Sequence, residues 1–356
     1  MNDDRDEMTI QSSVESTLDD LEILEEEGAA ACGMPERRGL LATILRMREI
    51  SVLGATVLLF VVLSLATPLF PTPENLLLVA RQISILAIIA IGVTFLFIAQ
   101  EIDLSVGSIY GFLVIILAFF IAKWGVYPWL AMVMAVLCGT FIGFVNGSLV
   151  TRFGIPSFIV TLGMLSVLRG AALLLSGGWP IIIKLPPEHS FLNITAGRAW
   201  GSVPMQVFWM VGLMIVAALV LAKTRFGAHV YATGGNQEAA ILAGIPTKGV
   251  KVICFMITGG LCGIAAALLL GQVRSAFPLA GQGFELDIIA AVVIGGTPLF
   301  GGAGSILGTL LGAAILGMIT NGLVLVGASA YFEPVAKGLI IIGAIIVDTV
   351  IRRRRV

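Results

Sequence analysis

Long apolar runs separated by short polar breaks dominate the sequence from about residue 50 onward. An α-helix needs about 20 apolar residues to cross the hydrocarbon core of a bilayer, with roughly 17 to 25 tolerated. The pattern therefore predicts an all-α integral membrane protein of about ten transmembrane helices. The predicted spans are 50–67, 77–98, 106–122, 129–149, 157–175, 206–222, 250–270, 286–297, 305–326 and 334–351.

The eighth run, 286–297, is too short to cross a bilayer alone as an ideal helix. It either extends upstream or is a broken helix buried among its neighbours, where irregular backbone is tolerated. Two further runs carry a glycine at every fourth position, which gives each helix a smooth face for close backbone approach. We expect that face to pack within one subunit, with dimerisation as the alternative. The glycines are Gly139, Gly143 and Gly147 in one run and Gly304, Gly308 and Gly312 in the other.

Composition excludes a soluble domain. Hydrophobic residues make up 58% of the chain, charged residues 12%, and the mean hydropathy is +1.03. A soluble domain carries about 25% charged residues. The four cysteines, Cys32, Cys138, Cys254 and Cys262, show neither paired nor metal-binding spacing.

The charges are distributed unevenly along the chain. Twelve of the 22 acidic residues precede Arg37, so residues 1–38 are predicted to be an acidic, disordered cytoplasmic tail in front of a transmembrane domain at 39–356. With the N-terminus inside, 14 of the 21 basic residues, including Arg352 to Arg355, fall in inner segments. Since cytoplasmic loops carry an excess of Lys and Arg, both termini are predicted to be cytoplasmic.

The inner loop at about 223–249 contains a short, well-delimited helix signal. Asn236 suits an N-cap and Glu238 suits the first turn, where the helix dipole favours negative charge. Gly244 can end the helix in the left-handed conformation, and Pro246 prevents its continuation. Residues alone leave two interpretations open, an ordinary loop helix and a helix that docks on a cytosolic partner.

This loop and three other stretches, in order and spacing, resemble the permease subunits of ribose-type ABC sugar importers. The loop reads GGNQEAAILAGI at 234–245, and the others are QEIDLSVGS at 100–108, FGIPSFIVTLG at 153–163 and ELDIIAAVVIGGT at 285–297. Gly301-Gly302 and Gly304-Ser305 follow the last of these. The resemblance covers roughly residues 45–351. One departure is Gln100-Glu101, where the family usually has Gly-Gly.

The resemblance implies the compact ten-helix ABC importer permease fold in the bacterial inner membrane. It also implies a second permease, identical or a paralogue, with the solute pathway between the two. A cytosolic ATPase would bind ATP and Mg, a periplasmic sugar-binding protein would deliver a monosaccharide or related polyol, and this chain would hold no cofactor. The inner loop becomes the ATPase-coupling segment, with Gly235, Asn236, Glu238, Ala239, Ala240 and Gly244 as its candidate residues.

Several polar residues within or between the apolar runs are candidates for the pathway or for structural roles. Charge in a membrane is costly, so Asp103 either caps the next helix near Ser105 at an inner-face break or marks a pathway. Arg169 must snorkel to the interface, pair, or line a wet cavity. Asn146 and Asn321 are interpreted mainly as interhelical hydrogen-bond partners. The remaining candidates are Pro156, Ser157 and Thr161.

No catalytic constellation is evident in the sequence. His189 and His229 fall on opposite sides of the predicted topology, and the glycine-rich stretch 295–305 lacks the lysine of a phosphate-binding loop. The chain is therefore predicted to be a non-catalytic subunit. The alternative is a self-sufficient secondary transporter or channel, which usually needs buried ionisable groups or unwound ion sites.

Overall fold

The computed structural model describes residues 48–329, 331–339 and 342–343. The acidic tail predicted at 1–38, the arginines at 352–355 and the second half of the last predicted span lie outside the described residues. Helices and short strands follow one another in the order α1 (Arg48–Ala66), α2 (Pro73–Ile98), α3 (Val106–Ala122), α4 (Pro128–Phe153), α5 (Ser157–Ser176), β1 (Ile181–Ile182), α6 (Ser190–Ala196), β2 (Arg198–Ala199), β3 (Val203–Pro204), α7 (Met205–Lys223), α8 (Arg225–Gly235), α9 (Gln237–Leu242), α10 (Thr247–Val273), β4 (Ser275–Ala276), α11 (Phe284–Ile294) and α12 (Ile306–Leu325). Residues 332–339 are also helical.

The described helices fall where the apolar runs predict them, in nine of the ten cases within a few residues at each end. Among the described residues, six helices are long and apolar enough to cross a membrane: α2, α4, α5, α7, α10 and α12. The apolar part of α1 and the whole of α3 are shorter. The chain is thus an essentially all-helical, multi-pass membrane protein.

The eighth predicted span is a short buried helix. α11 begins at Phe284, two residues upstream of the predicted start, and ends at Ile294 after 11 residues. Its middle is enclosed, with Ile288, Ala291 and Val292 fully buried. The sequence left two explanations for this short run, an upstream extension of the helix and burial among neighbouring helices. The helix extends upstream by only two residues, so burial explains the short run.

Two small antiparallel pairings lie outside the all-helical pattern. β1 pairs with β4, joining the segment after α5 to the segment after α10, and β2 pairs with β3 in a tight hairpin before α7. Each strand has two residues, too few to leave a period-two signal in the sequence.

The glycine faces pack within the subunit. A β-carbon at Gly139 would overlap the carbonyl oxygen of Gly259, and one at Gly143 would overlap that of Phe255, so α4 lies directly against α10. A β-carbon at Gly312 would likewise overlap the carbonyl oxygen of Ala291, which brings α12 against α11. These contacts confirm the use of both faces for packing inside one subunit.

Candidate functional site

The short helix of the inner loop has the end structures that its sequence predicts. The Asn236 Oδ1 atom accepts a hydrogen bond from the Ala239 N–H at 3.0 Å, as an N-cap residue does. Gly244 has a φ of 80°, the left-handed region that a side chain disfavours. The Ile245 N–H then bonds to the Ala240 carbonyl oxygen at 3.0 Å and closes the last turn. A six-residue helix with both ends satisfied can hold its shape outside the membrane.

The exposed side of α9 is more apolar than the sequence analysis anticipated. Leu242 is 90% exposed and Ile241 54% exposed, next to the exposed Glu238 and Ala239. Ala240 is only 4% exposed, so it is packed inside the chain in this structure, and its place among the ATPase-coupling residues stays a prediction. It faces the interior of the chain, where a small side chain lets α9 sit close to its neighbours. Ile241 and Leu242 were not among the predicted site residues. The signal that could have identified them is a pair of adjacent apolar residues on a helix outside the predicted spans.

The base of α9 is joined to the segment that follows α2. The Lys251 ammonium, near the start of α10, lies 2.9 Å from the Gln237 Oε1 atom and 2.6 Å from the Glu101 Oε1 atom. The Lys251 and Glu101 side chains are only 11% and 8% exposed. Since a buried charge is costly unless it is paired, this contact fixes α9 to the linker between α2 and α3.

A second attachment runs through the end of α8. A β-carbon at Gly234 would overlap the Ile98 carbonyl oxygen, whereas one at Gly235 would meet open space. The same carbonyl accepts a hydrogen bond from the Gly302 N–H at 3.0 Å, and the Tyr231 hydroxyl donates to the Gly304 carbonyl oxygen at 2.7 Å. The close packing at this point therefore requires glycine at Gly234, which the candidate residues omitted, and places no such demand on Gly235.

The linker 99–105 turns sharply and then runs without regular secondary structure. Gln100 has a φ of 64°, although the resembling sequences have glycine in this region, and the Glu101 N–H bonds back to the Leu96 carbonyl oxygen at 2.9 Å. A residue with a β-carbon in this conformation costs roughly 1 to 2 kcal/mol. The Lys251 contact to Glu101 holds the next residue in place and helps to maintain the turn.

The candidates Asp103, Ser105 and Asn146 meet just after this turn. The Asp103 Oδ1 atom accepts hydrogen bonds from the Ser105 N–H at 2.7 Å and the Ser105 hydroxyl at 2.5 Å. The Asn146 amide of α4 donates to Ser105 Oγ at 3.1 Å. The Asp103 Oδ2 and Asn146 Oδ1 atoms are buried without a hydrogen-bond partner. Burial raises the pKa of the Asp103 carboxyl to about 6, while the hydrogen bonds from Ser105 act in the opposite direction.

The N-terminal part of α5 holds the linker after its turn. The Ser157 hydroxyl accepts a hydrogen bond from the Ile102 N–H, and the Thr161 hydroxyl accepts one from the Leu104 N–H, both at 3.1 Å. Pro156 precedes the helix and is exposed. Five of the eight pathway or structural candidates (Asp103, Ser105, Asn146, Ser157 and Thr161) therefore form one cluster around the α2–α3 break.

Arg169 and Asn321 lie away from this cluster. The Arg169 guanidinium donates to the Ala280 carbonyl oxygen at 3.0 Å and so joins α5 to the segment before α11. Asn321 of α12 exchanges two hydrogen bonds with Asn75 of α2, at 2.9 and 3.0 Å. Asn321 thus makes the interhelical hydrogen bonds expected of it, and Arg169 is paired with a backbone carbonyl of a turn.

Comparison with known proteins gives a consistent family. The family model described as branched-chain amino acid transport system / permease component matches residues 75–347. The ribose import permease protein RbsC of Bacillus subtilis is 38% identical over 291 residues, which cover 82% of this chain and 89% of that protein.

More distant relatives carry other solute names. The autoinducer 2 import system permease protein LsrC of Photorhabdus luminescens is 34% identical, over 87% of this chain and 92% of that protein. The L-arabinose ABC transporter permease protein AraH of Azospirillum brasilense is 34% identical, over 83% of this chain and 86% of that protein. No solved structure matches the chain.

Proposed function

The chain belongs to the family of ribose-type ABC importer permeases, and we propose that it forms the transmembrane pathway for a monosaccharide or a related polyol. A separate cytosolic ATPase binds ATP and Mg and drives transport, and a periplasmic solute-binding protein delivers the solute. The permease itself carries no cofactor and no catalytic residue. The assignment to sugars rests on the ribose and arabinose import proteins among its relatives.

The observation that carries this proposal is the way α9 is presented. It is a capped helix outside the membrane-spanning segments, with Leu242 90% exposed at its end. Exposed apolar residues on a rigid, water-facing helix are typical of a protein-docking surface. We assign this surface, defined by Glu238, Ala239, Ile241 and Leu242, to contact with the ATPase.

The attachments of α9 provide a route for force. When the ATPase moves α9, Lys251 transfers the displacement to Glu101, and Gly234 transfers it to the end of α2. The linker that follows is hydrogen-bonded to α5 through Ser157 and Thr161. A movement of α9 is thereby converted into a movement of α3, which follows the linker, and of α5, which is hydrogen-bonded to it.

The pathway itself we place along α5, between this chain and a second permease. α5 is the least buried of the six long helices, and only 17% of its apolar stretch is buried inside the chain. A second copy of the chain or a paralogue would cover this face. Asp103 and Asn146, at 1% and 0% exposure, act as positioning groups for the linker rather than as solute contacts in this conformation.

The proposed orientation has ten spans, both termini and α9 in the cytoplasm, and the protein in the inner membrane. Cysteines introduced at the exposed positions Glu188 and Ala243 test it in intact cells. A membrane-impermeant thiol reagent should label the first and spare the second. The opposite pattern would reject the docking of α9 on a cytosolic ATPase.

Transport in proteoliposomes tests the proposed function against a self-sufficient secondary transporter. Vesicles that contain the permease, the ATPase and the binding protein should accumulate solute only with ATP inside the compartment that holds the ATPase. Uptake by the permease alone, driven by a proton or sodium gradient, would instead establish the secondary transporter.

A further inference from the structure

A cavity of about 250 Å³ lies among α2, α11, α12 and the helix at 332–339. Five polar side chains line it: Gln82, Asp287, Thr320, Glu333 and Lys337. Ile83 and Leu316, also in the lining, are the eleventh residues of α2 and α12, about 15 Å from the start of each helix. Both helices are long and apolar enough to cross a membrane, so the cavity lies at membrane depth. The proposed coupling route from α9 to α3 and α5 uses none of these residues.

Three ionisable side chains of the cavity form one cluster of ion pairs. The Lys337 ammonium lies 2.7 Å from the Asp287 Oδ2 atom and 2.8 Å from the Glu333 Oε1 atom. The Thr320 hydroxyl donates a hydrogen bond to the same Glu333 oxygen at 3.1 Å. Two carboxylates against one ammonium leave one net negative charge, so the cluster does not favour an anion.

The cluster is only partly covered by the chain. The Asp287 and Lys337 side chains are each 18% exposed and the Glu333 side chain 31% exposed, and Gln82 on the neighbouring helix is exposed. Charged groups at membrane depth are costly in lipid, and they almost always face the protein interior or a water-filled space. This wall of the chain therefore faces water or a second subunit instead of lipid.

A short segment joins the cavity to α5, along which the solute pathway is proposed. The Arg169 guanidinium of α5 donates to the Ala280 carbonyl oxygen, and Phe284, four residues further along the chain, lines the cavity. α11 begins at Phe284 and carries Asp287 in its first turn. The start of α11 thus lies between the polar cluster and the helix that borders the pathway.

We propose that this cavity holds the neutral, polyhydroxylated solute during its passage, an inference that rests on the proposed function. A hydroxyl group is both a donor and an acceptor. Neighbouring hydroxyls of a sugar can therefore donate to the carboxylates of Asp287 and Glu333 and accept from the Lys337 ammonium. The Phe284 ring and the aliphatic side chains of the lining face the C–H groups of the solute.

The size and composition of the cavity fit a small solute that is bound weakly. Sites for small molecules combine an apolar lining with a few polar groups, and those for drug-sized ligands measure about 300–1,000 Å³. A cavity of about 250 Å³ therefore suits a smaller molecule. Because Lys337 already has a carboxylate on two sides, the solute replaces water around an existing cluster. A site within a transport pathway must bind weakly enough for the solute to leave.

Cysteine labelling of the full chain in membrane vesicles tests whether the wall is wet. Gln82→Cys is compared with Leu137→Cys, both in a background without the native cysteines. The two positions are matched, because each is exposed and each is the tenth residue of a 26-residue helix. The reagent is a charged methanethiosulfonate, which reacts with the thiolate that forms in water and is suppressed in apolar surroundings.

We expect Gln82→Cys to react at least roughly tenfold faster than Leu137→Cys, since an apolar environment raises the pKa of a thiol. A Gln82→Cys variant that reacts no faster than Leu137→Cys would overturn the proposal, because the cavity would then be as dry as the apolar face of α4. This outcome does not depend on the identity of the solute or on the ATPase.

Transport in proteoliposomes with the ATPase and the binding protein tests the occupant. The probes are radiolabelled ribose and arabinose, the solutes in the names of the relatives. Gln82→Leu removes a polar group from the lining, and Gln82→Asn keeps the amide. We expect uptake per ATP hydrolysed to fall roughly two- to tenfold in Gln82→Leu, the effect of one lost hydrogen bond, and to fall less in Gln82→Asn. Melting temperatures of both variants should match that of the parent protein.

The results separate this inference from the proposed function. Normal uptake per ATP by a stable Gln82→Leu variant would reject the inference alone. A parent system that imports neither sugar with ATP would reject the proposed function, and the inference with it. Uptake by the permease alone that is driven by a sodium or proton gradient and is lost in Glu333→Gln would make the cluster a cation site instead.

Discussion

The Lys251 ammonium lies 2.6 Å from the Glu101 carboxylate, and the two side chains are 11% and 8% exposed. The pair joins residues 150 positions apart in the sequence, one at the foot of α10 beside α9 and one in the linker after α2. Gln237, the first residue of α9, shares the same ammonium at 2.9 Å. This contact joins α9, the helix proposed to dock on the ATPase, to the break between α2 and α3.

Removal of one charge of this pair should lower the stability of the folded protein more than removal of both charges. Lys251→Met leaves the Glu101 carboxylate buried and unpaired, which typically costs about 3–5 kcal/mol. The double variant Lys251→Met/Glu101→Gln has no buried charge and should regain most of that stability. Thermal unfolding of the three purified proteins measures the difference.

The double variant should regain stability but remain impaired in transport. The double variant lacks the ionic link, so we expect its solute-stimulated ATP hydrolysis to fall several-fold while the ATPase still co-purifies. Normal stimulation in a well-folded double variant would show that the pair has only a structural role. A double variant that is as unstable as Lys251→Met would reject the pairing itself.

Two adjacent glycines in α8 should respond differently to the same change. Gly235→Ala places a methyl group in open space and should be neutral or stabilise the helix slightly, since alanine is the better helix former by up to about 1 kcal/mol. Gly234→Ala drives its methyl group into the Ile98 carbonyl oxygen. We expect a loss of roughly 1–3 kcal/mol in stability, the usual range for overpacking.

Melting temperatures of the two glycine variants, measured in one detergent, provide the comparison. Both substitutions replace glycine with alanine in the same helix, so the difference between the two melting temperatures reports the packing at each position. We expect the lower melting temperature for Gly234→Ala. Equal melting temperatures would mean that α8 does not press against the end of α2.

The buried Asp103 should make stability depend on pH. Its pKa is raised to about 6 in the folded protein from an ordinary value near 3.8, so the folded state holds its proton more tightly than the unfolded state. The contribution to stability is greatest below pH 4 and is lost as the pH rises through 6. Asp103→Asn keeps an oxygen acceptor for Ser105 without the charge, and should remove this decline between pH 4 and 7.

Unfolding curves of the parent protein and Asp103→Asn across this pH range supply the test. The asparagine variant should be the more stable of the two at pH 7, and the difference should shrink toward pH 4. A parent protein whose stability rises with pH in parallel with the variant would show that the Asp103 carboxyl is not desolvated.

Local signals in the sequence predicted the elements well, and long-range contacts were beyond their reach. Asn236, Gly244 and Pro246 delimited α9 because capping and left-handed turns depend on neighbouring residues. The side of α9 that faces outward depends on how α9 packs against the rest of the chain, so the sequence did not show that Ala240 is buried and Leu242 exposed.

The site around the linker was predicted as separate residues and not as a cluster. Asp103, between two apolar runs, and Asn146, within one, stood out because polar groups are rare in a membrane domain. Their meeting point follows from the packing of α3, α4 and α5, which apolar periodicity does not encode. The pairing of Lys251 with Glu101 and of Asn321 with Asn75 escaped the sequence analysis for the same reason.

The docking surface can be tested by a charge at its most exposed apolar residue. Leu242→Asp puts a carboxylate where the ATPase should bury a leucine, outside every span and with little effect on folding, because Leu242 is 90% exposed. Gly249→Asp is the matched control. It adds the same charge seven residues away, in the exposed first turn of α10, where space is open and an acidic residue is favourable.

The measurement that tests the central claim most directly is ATP hydrolysis stimulated by the solute-loaded binding protein, in proteoliposomes that contain equal amounts of inserted permease. We predict that Leu242→Asp lowers the affinity for the ATPase at least about tenfold, as the loss of a central interface residue does, and that stimulated hydrolysis is abolished. Gly249→Asp should behave like the parent chain. Normal stimulated hydrolysis by Leu242→Asp would contradict the account, because α9 would then be a loop helix with no part in coupling.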